Sequence, residues 1–175
     1  MQKFFNQIKI LSQKEAVQLV NHYGVDKYWD IVSITEPFEP VDFYQHAKNV
    51  CRLGFNDIDK ITDGMTICSK TDIQKVLKFS ESVLGGNLVI HCWAGISRSS
   101  SITFAILLNL YKDKVKFPVD KALDDLVQIK SIHCIHPNRF ILNLALETIA
   151  RNEEELIRWS RELYQSEIFH QIYNS

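Results

Sequence analysis

The sequence predicts an α/β domain built on a central, mainly parallel sheet flanked by helices. Three observations carry that expectation. Short β-branched or apolar runs alternate with segments of helical spacing along most of the chain. One run, "NLVIHC" from Asn87 to Cys92, is almost continuously apolar, as strands buried on both faces of a parallel sheet are. A chain of 175 residues that is 46% hydrophobic can also bury a sizeable core. We read residues 1–175 as one domain, with its core over about 30–150 and a helical extension at 151–175.

Taken in order, "FFNQIKIL" alternates like a strand or an irregular edge, and Ser12 and Glu15 carry capping-box spacing ahead of a helix to His22 that stops near Gly24. "WDIVSI" is a β-branched strand cut off by Glu36, Pro37 and Pro40. "VDFYQHAKNVCRLGF" reads as a helix and then a short strand that ends at Asn56 and Asp57. Thr71 and Gln74 repeat the capping-box spacing, Ile73, Val76, Leu77, Val83 and Leu84 recur at helical intervals, and Gly85-Gly86 supplies a stop. After "NLVIHC", "SRSSSITFAILLNLY" starts a helix in which Ile102, Ala105, Ile106 and Asn109 have ordinary core spacing. Helices follow at about Val119 to Lys130 and Pro137 to Ala150, the second with Pro137 near its first turn. The charged, aromatic tail either extends that helix or packs as a separate one.

Twenty basic and twenty-one acidic residues leave a net charge of −1, so nothing draws the whole chain to nucleic acid or to an anionic membrane. Any anion site must be local. Cys51, Cys68, Cys92 and Cys134 form no paired framework, which points to a reducing, cytoplasmic setting. No classical secretory signal opens the chain, although a secretion signal of another kind would escape such a reading. The longest apolar run, near Ile102 to Leu110, is too short for membrane insertion.

The chemistry concentrates in "VIHCWAGISRSS". A loop from the carboxyl end of a strand to the start of a helix presents backbone N–H groups that the helix cannot satisfy. Gly95 lets the chain turn tightly, so the amides of Trp93, Ala94, Gly95, Ile96, Ser97 and Arg98 can converge on a tetrahedral oxyanion such as phosphate. Arg98 adds a planar fork for two phosphate oxygens. Thiols at helix starts beside a cation are acidified, so the same field favours the Cys92 thiolate, the nucleophilic form.

"HCWAGISRSS" resembles the His-Cys-five residues-Arg-Ser signature of the cysteine-dependent protein tyrosine phosphatases, in the form found in the compact dual-specificity branch. The resemblance implies a dual-specificity phosphatase-like fold and a phosphomonoester hydrolase with a cysteinyl-phosphate intermediate, acting on phosphotyrosine in proteins, with phosphoserine and phosphothreonine as further candidates. It implies no metal and no cofactor, and gives Cys92 as nucleophile, Arg98 as phosphate clamp, and Ser99 as the hydroxyl that eases the sulfur away. His91, just before the nucleophile, is read as ordering the loop.

The mechanism needs a carboxylic acid, and "LGFNDIDKITDG" offers Asp57, Asp59 and Asp63. Asp57 fits best because it follows an apolar run directly, at a strand's carboxyl end, and the other two remain alternatives. "IHPNRFILNLAL" resembles the Pro-Asn-led helix of the same branch, so the likeness spans about residues 30–150. A Trp-Pro-Asp loop and a phosphotyrosine-clamping segment like those of the larger tyrosine-specific enzymes are not found, which leaves the substrate open.

Two rival readings stand beside this one: a phosphoinositide or RNA phosphatase with the same chemistry, and a phospho-dependent binding module with little turnover. Trp93 and Ile96, apolar where lysines could stand, argue against a polyanionic substrate. "HCIH" at 133–136 lacks a second pair of ligands for structural zinc, and Cys51, Cys68 and Cys134 read as buried structural thiols. The expected partner is a phosphorylated protein or peptide. Oligomeric state is not legible.

Overall fold

A computed structural model describes residues 4–22, 28–39 and 46–174. Four strands, β1 (Gln7–Ser12), β2 (Trp29–Thr35), β3 (Ala47–Gly54) and β4 (Asn87–Cys92), form one sheet in the order β1-β4-β2-β3, and every neighbouring pair is parallel. Seven helices accompany them among the described residues: α1 (Gln13–His22), α2 (Lys70–Ser82), α3 (Arg98–Tyr111), α4 (Pro118–Ile129), α5 (Arg139–Ile149), α6 (Glu153–Gln165) and α7 (Glu167–Asn174). The expected α/β architecture with a mainly parallel sheet is the one observed. No helix among the described residues is long and apolar enough to cross a membrane.

The two central strands behave as their sequences require. Every residue of β2 is buried, and β4 is buried from Leu88 to Cys92, so both lie under helices on each face. β1 is an edge strand in register with β4, which sets Ser12 opposite Cys92. Ser12 then starts α1: its backbone N–H donates to Glu15 Oε2 at 2.8 Å while its Oγ accepts from the Glu15 N–H at 3.3 Å, the expected capping box. The expected stop at Gly24 lies outside the described residues.

Three boundaries differ from expectation. The helix read over "VDFYQHAKNV" falls partly on residues 41–45, outside the described residues, while Ala47–Val50 belongs to β3 rather than to a helix. Pairing with β2 decides this, helped by Asn49 Nδ2 donating to Asp30 Oδ1 at 2.7 Å, and weak local propensity yields to tertiary partners. α2 is capped by Ser69 and Asp72 rather than Thr71 and Gln74. The Ser69 N–H donates to Asp72 Oδ2 at 2.9 Å and Ser69 Oγ accepts from the Asp72 N–H at 3.2 Å, so the helix is already under way at Thr71. Pro137 lies ahead of α5, whose N-cap is Asn138, with Oδ1 accepting from the Ile141 N–H at 3.2 Å.

The tail forms two further helices that cover the core. Trp159 and Leu163 of α6 are fully buried, and Phe169 and Ile172 of α7 are nearly so, in the same apolar cluster as Ile90, Ile102 and Ile106. The α5–α6 corner is fixed by Asn152, which accepts from the Glu155 N–H, and by Glu155, whose carboxylate accepts from the Arg151 N–H at 2.8 Å and pairs with Arg151 Nη2 at 2.7 Å. Those bonds from Arg151 hold the Glu155 carboxyl below its ordinary value of 4.5. A carboxyl depressed in the folded state contributes stability that is complete above its unfolded pKa and is lost as pH falls through the folded one. Glu155→Gln is therefore expected to cost about 1 kcal/mol at pH 7, limited by the exposure of Arg151. Chemical denaturation of both proteins should show the difference shrinking below pH 4.5.

Candidate active site

β4 ends at Cys92, and α3 begins six residues later at Arg98, so the intervening loop closes the carboxyl end of the sheet. The conformation of that loop is fixed from outside through its carbonyls. Trp93 O accepts from the Gln13 N–H at 3.2 Å, Gly95 O from Lys130 Nζ at 2.7 Å, and Ile96 O from the His136 N–H at 3.1 Å and Ser100 Oγ at 2.6 Å. Ser97 O accepts from the Ser101 N–H at 3.0 Å. The carbonyls of Trp93, Gly95, Ile96 and Ser97 are thus engaged, and the loop runs directly into the start of α3.

Gly95 is required twice over. Its φ is +72°, and a Cβ there would lie 2.4 Å from the Leu11 carbonyl carbon and 2.5 Å from Ser12 N. The loop is wedged against the backbone of β1, which cannot give way.

Cys92 is 2% exposed, and its Sγ lies 3.3 Å from Ser99 Oγ. The other thiols differ in setting. Cys51 and Cys68 are buried, and burial pushes both up, Cys68 to about 12, so they stay protonated and inert. Cys134 is exposed rather than buried, because it lies in the short 3₁₀ turn Ile132–Cys134 on the surface. His91 is fully buried beside Cys92 on β4, while Trp93 and Ile96 point to solvent.

The Arg98 guanidinium is also buried. Its Nη1 donates to Phe55 O at 2.8 Å and pairs with Glu36 Oε1 at 2.9 Å, while Asn56 Nδ2 donates to the other oxygen of Glu36. Arg98 Nε is buried without a hydrogen-bond partner. An ionic donor left unpaired in the interior is costly, and an acceptor oxygen would relieve it.

Of the three candidate acids, Asp57 alone bonds to the loop among the described residues. Its Oδ1 accepts from Ser97 Oγ at 2.8 Å and from Asn138 Nδ2 at 3.1 Å. Asn138 is held in turn, with its Nδ2 also reaching Ile58 O at 3.1 Å and its N–H donating to Ser101 Oγ at 2.7 Å. Asp59 and Asp63 are exposed farther along the same loop.

Glu36, Lys130 and Asn138 escaped the sequence reading. Glu36 could have been found, because it stands at the carboxyl end of a buried strand, where α/β sites collect. Lys130 and the role of Asn138 carry no local signal. Glu36→Ala is expected to lower kcat/KM for an aryl phosphate about tenfold by releasing one side of the guanidinium, and Glu36→Gln less, since an amide oxygen still accepts from Nη1. Steady-state kinetics of the two variants checks the order.

No family model matches the sequence, and no curated protein matches it either. Solved structures do. The chain is similar to DUSP15, with a TM-score of 0.63 at 21% identity over 92% of this chain and 95% of that one. It is similar to human DUSP28, with a TM-score of 0.59 at 15% identity over 86% and 94% of the two chains. It is also similar to PTPMT1 in a complex with PI(5)P, with a TM-score of 0.57 at 16% identity over 87% and 94%. The all-parallel four-stranded sheet, its helices and these neighbours together give the chain the fold of the compact dual-specificity cysteine phosphatases.

Proposed function

We propose that the protein is a metal-independent phosphomonoester hydrolase that works through a cysteinyl-phosphate and prefers phosphotyrosine in proteins. The observation that carries the proposal is the convergence of Cys92, the unpaired Nε of Arg98 and the Ser97-bound Asp57 on one loop.

In this reading the Cys92 thiolate attacks phosphorus, and the bond to the leaving oxygen breaks as Asp57 gives that oxygen its proton. Arg98 and the amides of Trp93 to Arg98 carry the charge of the transferring group. Water then attacks phosphorus, Asp57 takes its proton, and the electron pair of the P–S bond returns to sulfur. Ser99 Oγ, 3.3 Å from Sγ, donates to the departing thiolate. Inorganic phosphate leaves, and both groups are restored.

Lys130, the basic side chain that bonds to the loop backbone, is committed to Gly95 O, and the outward loop positions are Trp93 and Ile96. This supports a substrate with an aromatic or apolar body and a single phosphate rather than a polyanion. The test is hydrolysis of a small aryl phosphate, phosphotyrosine peptides and PI(5)P, with a chelator present. Chelator-resistant turnover of the first two is expected. The likeness to PTPMT1 with PI(5)P supports the lipid reading, and PI(5)P turnover well above that of peptides would replace the preference while keeping the chemistry.

A further inference from the structure

The Cys92–Arg98 loop and the two segments bonded to it at Arg98 and Ser97 carry several exposed apolar side chains. Phe38 is fully exposed, Ile61 is 86% and Trp93 70% exposed, and Met65 and Ile96 are exposed as well. These five residues come from three segments that hydrogen bonds and an ion pair tie together at their bases. Glu36, two residues before Phe38, pairs with Arg98. Asp57 accepts from Ser97. The loop carrying Ile61 and Met65 is closed at its base, where the Asn56 N–H donates to Thr66 O at 2.8 Å and the Thr66 N–H to Asn56 Oδ1 at 2.9 Å. Compact surface loops closed in this way are often functional.

Phe38 adds an independent observation. It is the one described non-glycine residue at positive φ, +64°, a conformation that a bulky aromatic side chain disfavours. It thus combines backbone strain with complete exposure, and packing among the described residues rewards neither.

Charge narrows the occupant. Among the described residues of the same two loops, Glu39, Asp59 and Asp63 are exposed against Lys60, so the rim repels an anionic bilayer and acidic sequences, and attracts basic ones. We propose that Phe38, Ile61, Met65, Trp93 and Ile96 form a docking rim for phosphotyrosine segments whose neighbouring residues are apolar and basic. The proposal rests on the phosphatase reading above and adds to it the kind of sequence selected.

The test compares phosphotyrosine peptides flanked by Leu and Lys with peptides flanked by Asp and Glu, alongside a small aryl phosphate and PI(5)P in phosphatidylcholine vesicles. The first peptides are expected to have a kcat/KM at least about tenfold above the second. Phe38→Asn and Ile61→Ser should bring that ratio to within about threefold while leaving aryl phosphate hydrolysis unchanged. Asn tolerates positive φ, so Phe38→Asn should also melt at the same temperature or higher, a result that a structural role for Phe38 forbids. Binding of the same peptides to the Cys92→Ser protein reads the rim whether or not turnover occurs, so a failure of the rim and a failure of the chemistry are told apart. Equal affinity for both peptide classes overturns the proposal, as does a ratio that the two substitutions leave in place. Preferred turnover of vesicle PI(5)P that falls in Phe38→Asn assigns the rim to membranes instead.

Discussion

Cys92→Ser is expected to lower aryl phosphate turnover by at least about 10⁴-fold, the scale reached when a covalent nucleophile is deleted. A serine hydroxyl is far less ionised than a thiol, and the side chain that bonds to it, Ser99 Oγ, is itself a hydroxyl rather than a base. The substitution leaves the proposed anion site intact, because Arg98, Gly95 and the carbonyl contacts of the loop do not depend on sulfur. The variant should therefore bind inorganic phosphate about as well as the wild type while turning over nothing measurable. Calorimetric titration beside a single-turnover assay separates the two properties. Residual turnover within tenfold of wild type would assign the nucleophile elsewhere.

Asp57→Asn should cost about 10²–10³-fold in kcat/KM for substrates with poor leaving groups, and less as the leaving group becomes more acidic. Two donors, Ser97 Oγ and Asn138 Nδ2, converge on Asp57 Oδ1, which leaves Oδ2 as the oxygen free to carry the proton. An asparagine oxygen can accept the same two bonds, so the variant keeps its fold and loses only the transferable proton. The diagnostic readout is the leaving-group dependence. In a series of aryl phosphates, kcat/KM of Asp57→Asn should fall steeply as the leaving phenol becomes less acidic, while that of the wild type changes little. Equal slopes for the two proteins would move the role to Asp59 or Asp63, neither of which bonds to the loop.

The parts of the molecule that could be read in advance are those whose cause lies within a few residues. The apolar run of β4 announces a strand buried on both faces, Ser12 and Glu15 announce the start of α1, and Gly85 ends the α2 region with φ +78°. The spacing from Cys92 to Arg98 belongs to this class, because a strand end, a tight glycine turn and a helix start are sequential neighbours. Where two local signals compete, as Ser69-Asp72 and Thr71-Gln74 do, spacing alone does not choose between them. The residues that close both bonds do.

The sequence by itself thus determined the fold class and the strand, tight turn and helix start that join Cys92 to Arg98, since backbone sterics and unsatisfied helix-start amides act over short range. Only the tertiary structure decided what surrounds them. Asn138 reaches Asp57 across 81 positions, Phe55 O meets Arg98 across 43 and Lys130 meets Gly95 across 35. Glu36 is set against Arg98 by the adjacency of β2 and β4 in the sheet, and Trp159 enters the core from the far end of the chain. Such contacts form because burial leaves each polar group few partners to choose from, and that choice exists only once the chain has closed on itself.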